Sequence, residues 1–176
     1  SAHIPDLASP NFAVGIDTQA TGPLQQALDL TRLSPLGGIA HHALDQATGT
    51  GQTDLQLTLG LPIHHIKNAI VQGNVVLKGN HVRITPNTPL LANSTGQVSF
   101  SEQGFNLQDV KTHMLGGSAV LAGGLQPAKQ GKPSKVQFTA QGTFSDIGLR
   151  DEPTVSVLKP LAEYMEGSSS YQARLG

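Results

Sequence analysis

Asp54-Leu55-Gln56-Leu57-Thr58-Leu59-Gly60-Leu61 decides the fold class. Leucine occupies every second position, and Asp, Gln, Thr and Gly fill the places between. Successive side chains of a strand point to opposite faces, so this spacing predicts a half-buried β-strand, ended at Pro62. The next segment repeats the pattern. Ala69, Val71, Gly73, Val75 and Leu77 share one face, opposite Ile70, Gln72, Asn74, Val76 and Lys78. Gly79-Asn80 then reads as a two-residue hairpin turn, with Val82 and Ile84 inward on a returning strand from His81 to Thr85.

Outward from there the period of two persists. Phe12, Val14 and Ile16 alternate over residues 11–18. Val98 and Phe100 point inward from 96–101, and Glu102-Gln103-Gly104 forms a tight turn. The strand over 105–115 changes parity. Phe105 and Leu107 lie on one face, whereas Val110, Thr112 and Met114 lie on the other, so a β-bulge is expected near Gln108 or Asp109. Strands follow at 117–125, at 136–144 with Val136, Phe138, Ala140 and Phe144, and at 169–175 with Tyr171, Ala173 and Leu175.

Helical spacing is confined to short pieces. Leu24, Ala27 and Leu28 fall at helical spacing, with Pro23 at the first helical position. Ser34 caps a second helix carrying Leu36, Ile39, Ala40, Ala43 and Leu44. A third stretch opens at Glu152-Pro153-Thr154, with Val155, Leu158, Leu161, Ala162 and Met165 on one side, and breaks at Pro160. The expected fold is therefore mostly β, an antiparallel sheet with short flanking helices.

Composition narrows the function classes. Charged residues are 13% of the 176, about half the usual share, and the net charge is −1. The 11 Lys and Arg are scattered, so no nucleic-acid partner is expected. With Cys absent, disulfides and thiolate metal sites are excluded. No run of about 18 apolar residues is present to span a membrane as a helix. The His41-His42 and His64-His65 pairs lack a third ligand at suitable spacing, and adjacent strand residues face opposite ways, so no metal is expected. Asp54, Asp109 and Glu102 fall on separate strands or turns, too scattered for paired acid–base work. Gly116-Gly117 and Gly123-Gly124 lack the following helix and Lys of a phosphate loop. The reading is a non-enzymatic protein without cofactors.

Two segments share one pattern. Ser34-Pro35-Leu36 leads through a helix and Gly49 to Asp54–Gly60. Lys159-Pro160-Leu161 leads through a helix and Gly167 to Ser170–Gly176. The expected organisation is one β fragment over residues 1–176, cut from a longer protein, with a second repeat unit starting near 153.

Residue order also carries a resemblance. Thr21-Gly22-Pro23-Leu24, Ser34-Pro35-Leu36, Gly49-Thr50-Gly51, Asp54-Leu55-Gln56-Leu57, Val71-Gln72-Gly73-Asn74-Val75-Val76-Leu77, Gly96-Gln97-Val98-Ser99-Phe100, Leu115-Gly116-Gly117, Phe138-Thr139-Ala140-Gln141-Gly142-Thr143-Phe144 and Gly148-Leu149-Arg150 resemble the YhdP branch of the AsmA-like family. The resemblance runs from about residue 11 to 176. It implies a sheet curled into a groove, a β-taco, with an apolar lining. It implies a periplasmic module of an inner-membrane-anchored protein that helps move phospholipid between inner and outer membranes. Phospholipid, neighbouring repeats of the same chain and envelope proteins at either membrane are the partners it implies. The candidate lining is Leu55, Leu57, Leu59, Val71, Val75, Leu77, Val98, Phe100, Val136 and Phe138. The same residues suit a structural or adhesive envelope domain with a closed core, and alternation alone does not separate the two. A final strand at the chain's end predicts edge-to-edge self-association.

Overall fold

The computed structural model describes residues 2–3, 13–33, 44–62, 70–101, 104–126 and 135–175. Its elements are β1 (Ala2–His3), β2 (Ala13–Pro23), α1 (Leu24–Leu33), β3 (Thr48–Thr50), β4 (Gln52–Pro62), β5 (Ile70–Arg83), β6 (Leu91–Ser101), β7 (Gly104–Met114), β8 (Gly117–Gln126), β9 (Lys135–Ser145), α2 (Asp146–Asp151), a 3₁₀ segment (Pro153–Leu158), α3 (Lys159–Glu163) and β10 (Ser168–Leu175). All ten strands join one sheet in the order β1-β2-β4-β5-β6-β7-β8-β9-β10, and β3 pairs with β5 beyond β4. Every pairing is antiparallel. The sheet is open, because β1 and β10 do not meet.

A line of irregularities crosses it. β3 and β4 lie in line along β5, interrupted at Gly51, where φ is +91°. Beside that break, register shifts between Lys78, Asn80 and Val82 on β5. The shift continues between Ala92, Thr95 and Gln97 on β6, and between Leu107 and Val110 on β7. Asn93 and Asp109 sit there at φ 51° and 46°. On β8, Gly123 follows at φ +122°, where a Cβ would collide with the Gln137 carbonyl of β9. Each bulge bends its strand. Aligned across neighbouring strands, the bulges crease the whole sheet.

The bend folds toward one face. Leu24 of α1 is buried with Leu77 and Val110, and Val75, Val98, Leu107, Val82, Leu121 and Leu28 pack around them. Val75, Leu77, Val98 and Leu107 come from one side of the crease, and Val82, Val110 and Leu121 from the other. Both wings therefore close on the same helix. Gly49 is its seat, since a Cβ there would lie 2.6 Å from Leu24 Cδ2. The Leu24 amide donates to the Gly51 carbonyl at 2.9 Å, and Gln25 Oε1 accepts from the Gly49 amide at 3.0 Å.

Most expected strands stand. The bulge expected near Gln108 or Asp109 is the Leu107–Val110 register shift. Gly79-Asn80, read above as a hairpin turn, is instead a bulge inside the continuous strand β5. A type I′ turn needs positive φ at both central residues, and only Gly79 has it, at +83°. The Asn80 side chain is wholly buried. It donates to Thr50 O and Gln52 O, both at 3.0 Å, and accepts from the Lys78 amide at 2.7 Å. It fills the gap between β3 and β4, so the chain runs on and turns later, at Thr85–Thr88.

Strand β2 extends past residue 18 to Pro23, and α1 starts one residue later than read. Strand β6 starts at Leu91 rather than Gly96. Helix α2 precedes the helical stretch expected from 152, with Ser145 as its N-cap. Pro160 lies in the first turn of α3, where the stretch breaks as expected. The helix expected after Ser34, both His pairs and Glu102 lie outside the described residues, apart from a turn at residues 44–46.

Asn80→Ala removes three hydrogen bonds and leaves their buried backbone partners unpaired. The expected cost is roughly 3 kcal/mol, read as a lower urea midpoint. Asn80→Asp, which cannot donate, should lose nearly as much.

Candidate functional site

Register assigns every strand residue to a face. From the crease outward, the inner face carries Leu55, Leu57 and Leu59 on β4, opposite Val75, Gly73 and Val71 on β5. Phe100 and Val98 on β6 continue the rows, then Phe105 and Leu107 on β7. Leu125 and Leu121 on β8 lead to Val136, Phe138 and Ala140 on β9 and to Ala173 on β10. All ten candidate lining residues fall on this one face. The bulges preserve it, because odd-numbered inner positions before each crease become even-numbered ones after it.

Their burial differs. Val71 and Leu77 are buried. Val75 and Val98 are half-buried against the α1 cluster. Leu55, Leu57, Leu59, Phe100 and Phe138 are half-buried, and Val136 is 39% exposed. Among the described residues no second sheet covers them. Among the described residues α1 packs on the inner face near the crease, while Leu55, Leu57 and Leu59 beyond it stay only half-buried.

Phe105, Leu107, Val110, Leu121 and Leu125 belong to the same face but were not among the candidates. Phe105 meets Phe138 from two strands away, with ring centroids 5.9 Å apart. The intervening inner position is Gly123, which has no side chain to separate them. Phe100 likewise lies across Gly73. The parity change in β7 was the available signal for Phe105 and Val110.

The two faces differ sharply in charge. Among the described strand residues, no Asp, Glu, Lys or Arg falls on the inner face; Asp109 sits on the bulge itself. Asp17, Asp54, Lys78, Lys111, Lys135 and Arg174 all point outward. Asp54 pairs with Lys78 and accepts from Thr21 at 2.9 Å. The hydrogen bond from Lys78, helped by Thr21, holds its carboxyl below the usual range. Asp17 accepts from Thr58 at 2.8 Å. These carboxylates are engaged in surface pairs on separate strands. Among the described residues no three His, Asp or Glu side chains converge as metal ligands.

At the lip where β9 ends, α2 leaves the sheet. Leu149 is buried, and Arg150 donates to the Ala162 carbonyl at 2.7 Å, tying α2 to α3. Partial burial pushes Glu152 up, but hydrogen bonds from Thr154, the Arg83 charge and the Leu90 amide outweigh it and lower its pKa. This contact links the helical segment to the β5–β6 turn across the lip.

The profile of the YhdP protein family matches residues 1–176. The chain belongs to the YhdP family. Comparison with curated proteins and with solved structures finds no match. The YhdP assignment agrees with the resemblance read from residue order, and the open, creased sheet is the curled antiparallel groove that resemblance implied.

One inner-face group stands apart in this YhdP chain. Tyr171 packs on Phe144, with centroids 6.0 Å apart, and its hydroxyl is buried without a hydrogen-bond partner. Burial raises its pKa. An unpaired buried hydroxyl costs about 1 kcal/mol or more. Tyr171→Phe should therefore leave thermal stability unchanged or raise it, measured by calorimetry, whereas Phe144→Ala should lower it.

Proposed function

We propose that the inner face shelters the acyl chains of phospholipid, and that this chain is a periplasmic module of an inner-membrane-anchored protein moving phospholipid between inner and outer membranes. The observation that carries the reading is an apolar face crossing the strands from β2 to β10, which among the described residues carries no charge and is covered by no second sheet, backed by a polar outer face. An open apolar surface of this extent marks an interaction site. Each sheltered CH₂ contributes about 0.8 kcal/mol, so rows of Leu, Val and Phe suffice to hold an acyl chain. The groove runs across the strands, because the crease does. Seven strand spacings give it a length of about 34 Å, comparable to the roughly 30 Å hydrocarbon thickness of a bilayer. Membership of the YhdP family supports the same reading. No catalysis and no cofactor are invoked: a surface that holds chains by burial needs neither.

Two partner proposals follow. β10 pairs on one side with β9, and its other edge offers backbone groups to an added strand. A neighbouring repeat of the same protein is the proposed occupant, and the groove would then continue from unit to unit. Envelope proteins at either membrane would receive or deliver the lipid. Alone, the chain should self-associate through that edge, so light scattering should show mass rising with concentration. A constant monomer mass at high concentration counts against it.

Native mass spectrometry of the chain from a bacterial host should find co-purifying phospholipid that detergent displaces. Leu57→Asp places a charge on the half-buried wall, where water still reaches it. It should abolish lipid retention while circular dichroism stays close to the parent. Val110→Asp, at a site only 2% exposed, should instead unfold the domain, at a cost of several kcal/mol. A lipid-free parent, or unfolding by Leu57→Asp, would replace the groove with a closed core.

A further inference from the structure

The outer face of β7–β10 holds a hollow of about 1100 Å³. It lies opposite the apolar groove and takes no part in sheltering lipid. Register lays its floor in a row: Lys111 beside Val120, Val120 beside Gln141, and Gln141 beside Gln172. His113 and Thr143 lie one step further along their strands and also line it. These side chains are exposed. The row spans three strand spacings, about 14 Å, and its residues are held by the sheet rather than by loops.

The chemistry of this hollow is selective. Gln and Thr both donate and accept, matching hydroxyl groups that do the same. Val120, 38% exposed, offers an apolar patch between them. Lys111 and His113 supply cationic or donor groups, and none of the lining residues is a carboxylate. Asp109, two residues before Lys111, lies outside the lining. The volume exceeds the roughly 300–1,000 Å³ of small-molecule sites, so an extended ligand fits better than one sugar ring.

We propose that this hollow binds an anionic glycan. Gln141, Gln172 and Thr143 contact sugar hydroxyls, Val120 meets the C–H face of a ring, and Lys111 with His113 takes a carboxylate or phosphate substituent by charge-assisted hydrogen bonds. The inference is independent of the lipid reading, because it uses the opposite face.

Amide-resolved NMR titration with tetragalacturonate tests it, with neutral maltotetraose as control. Expected are saturable shifts at Lys111, His113, Val120, Gln141 and Gln172 with the acidic oligosaccharide, and much weaker ones with the neutral one. Lys111→Ala with Gln141→Ala should weaken binding about tenfold, the loss of one or two net hydrogen bonds. Both residues are exposed, so the melting temperature should hold. Absent or unsaturable shifts overturn the proposal. So do shifts elsewhere on the sheet, equal response to maltotetraose, or full binding by the double variant.

Discussion

The aligned bulges are the constraint on which the rest depends. A one-residue insertion in a strand sends every later side chain to the opposite face. Here β5, β6 and β7 each carry such an insertion at the same level. Because neighbours shift together, the inner face stays apolar on both sides of the crease, and the sheet bends rather than tears. Asn80 shows what the arrangement requires. Its amide spans the break between Thr50 and Gln52 while its carbonyl oxygen holds the Lys78 amide. The polar groups freed by the bulge are thus paired inside the fold.

Beyond the crease, Ser94 and Thr112 meet at 3.0 Å in a buried polar pair, and Thr112 donates to the Ala92 carbonyl. They lie on the inner face, yet each finds its partner within the sheet. Stability therefore rests on ladder hydrogen bonds, bulge plugs and the cluster under α1. Among the described residues no second sheet adds to it. The half-buried Leu55, Leu57 and Leu59 lie outside that cluster.

Much of this was legible in the sequence. Leu55, Leu57 and Leu59 announce their strand, and the parity change after Leu107 announces its bulge. The ten candidate side chains share one face because alternation is a backbone property that tertiary context rarely overrides. Gly79-Asn80 was misread because a hairpin and a bulge both want a left-handed glycine. The difference lies in where the Asn side chain goes, and its acceptors, Thr50 O and Gln52 O, are nearly thirty residues away. The start of β6 was missed because Ala92-Asn93-Ser94-Thr95 is polar, and Ser94 finds its partners only in the fold, the Leu91 carbonyl and Thr112 of β7. Helix α2 was missed although Ser145-Asp146 is a good N-cap. Gly148 beside the Leu115 carbonyl explains that glycine as a close approach, which local reading treats as a breaker.

Openness was the property least legible. Leu57 and Val110 are both alternating apolar residues, and neither spacing nor residue type distinguishes them. What separates them is α1. Helix α1 reaches the wall only near the crease, because Gly49 provides its seat there and Pro23 fixes where β2 ends. Val110 lies under that helix and Leu57 lies beyond it. The division of one apolar face into core and open groove is therefore set by the docking point of a ten-residue helix. A shift of that seat would move the boundary, turning groove into core without changing a single lining residue.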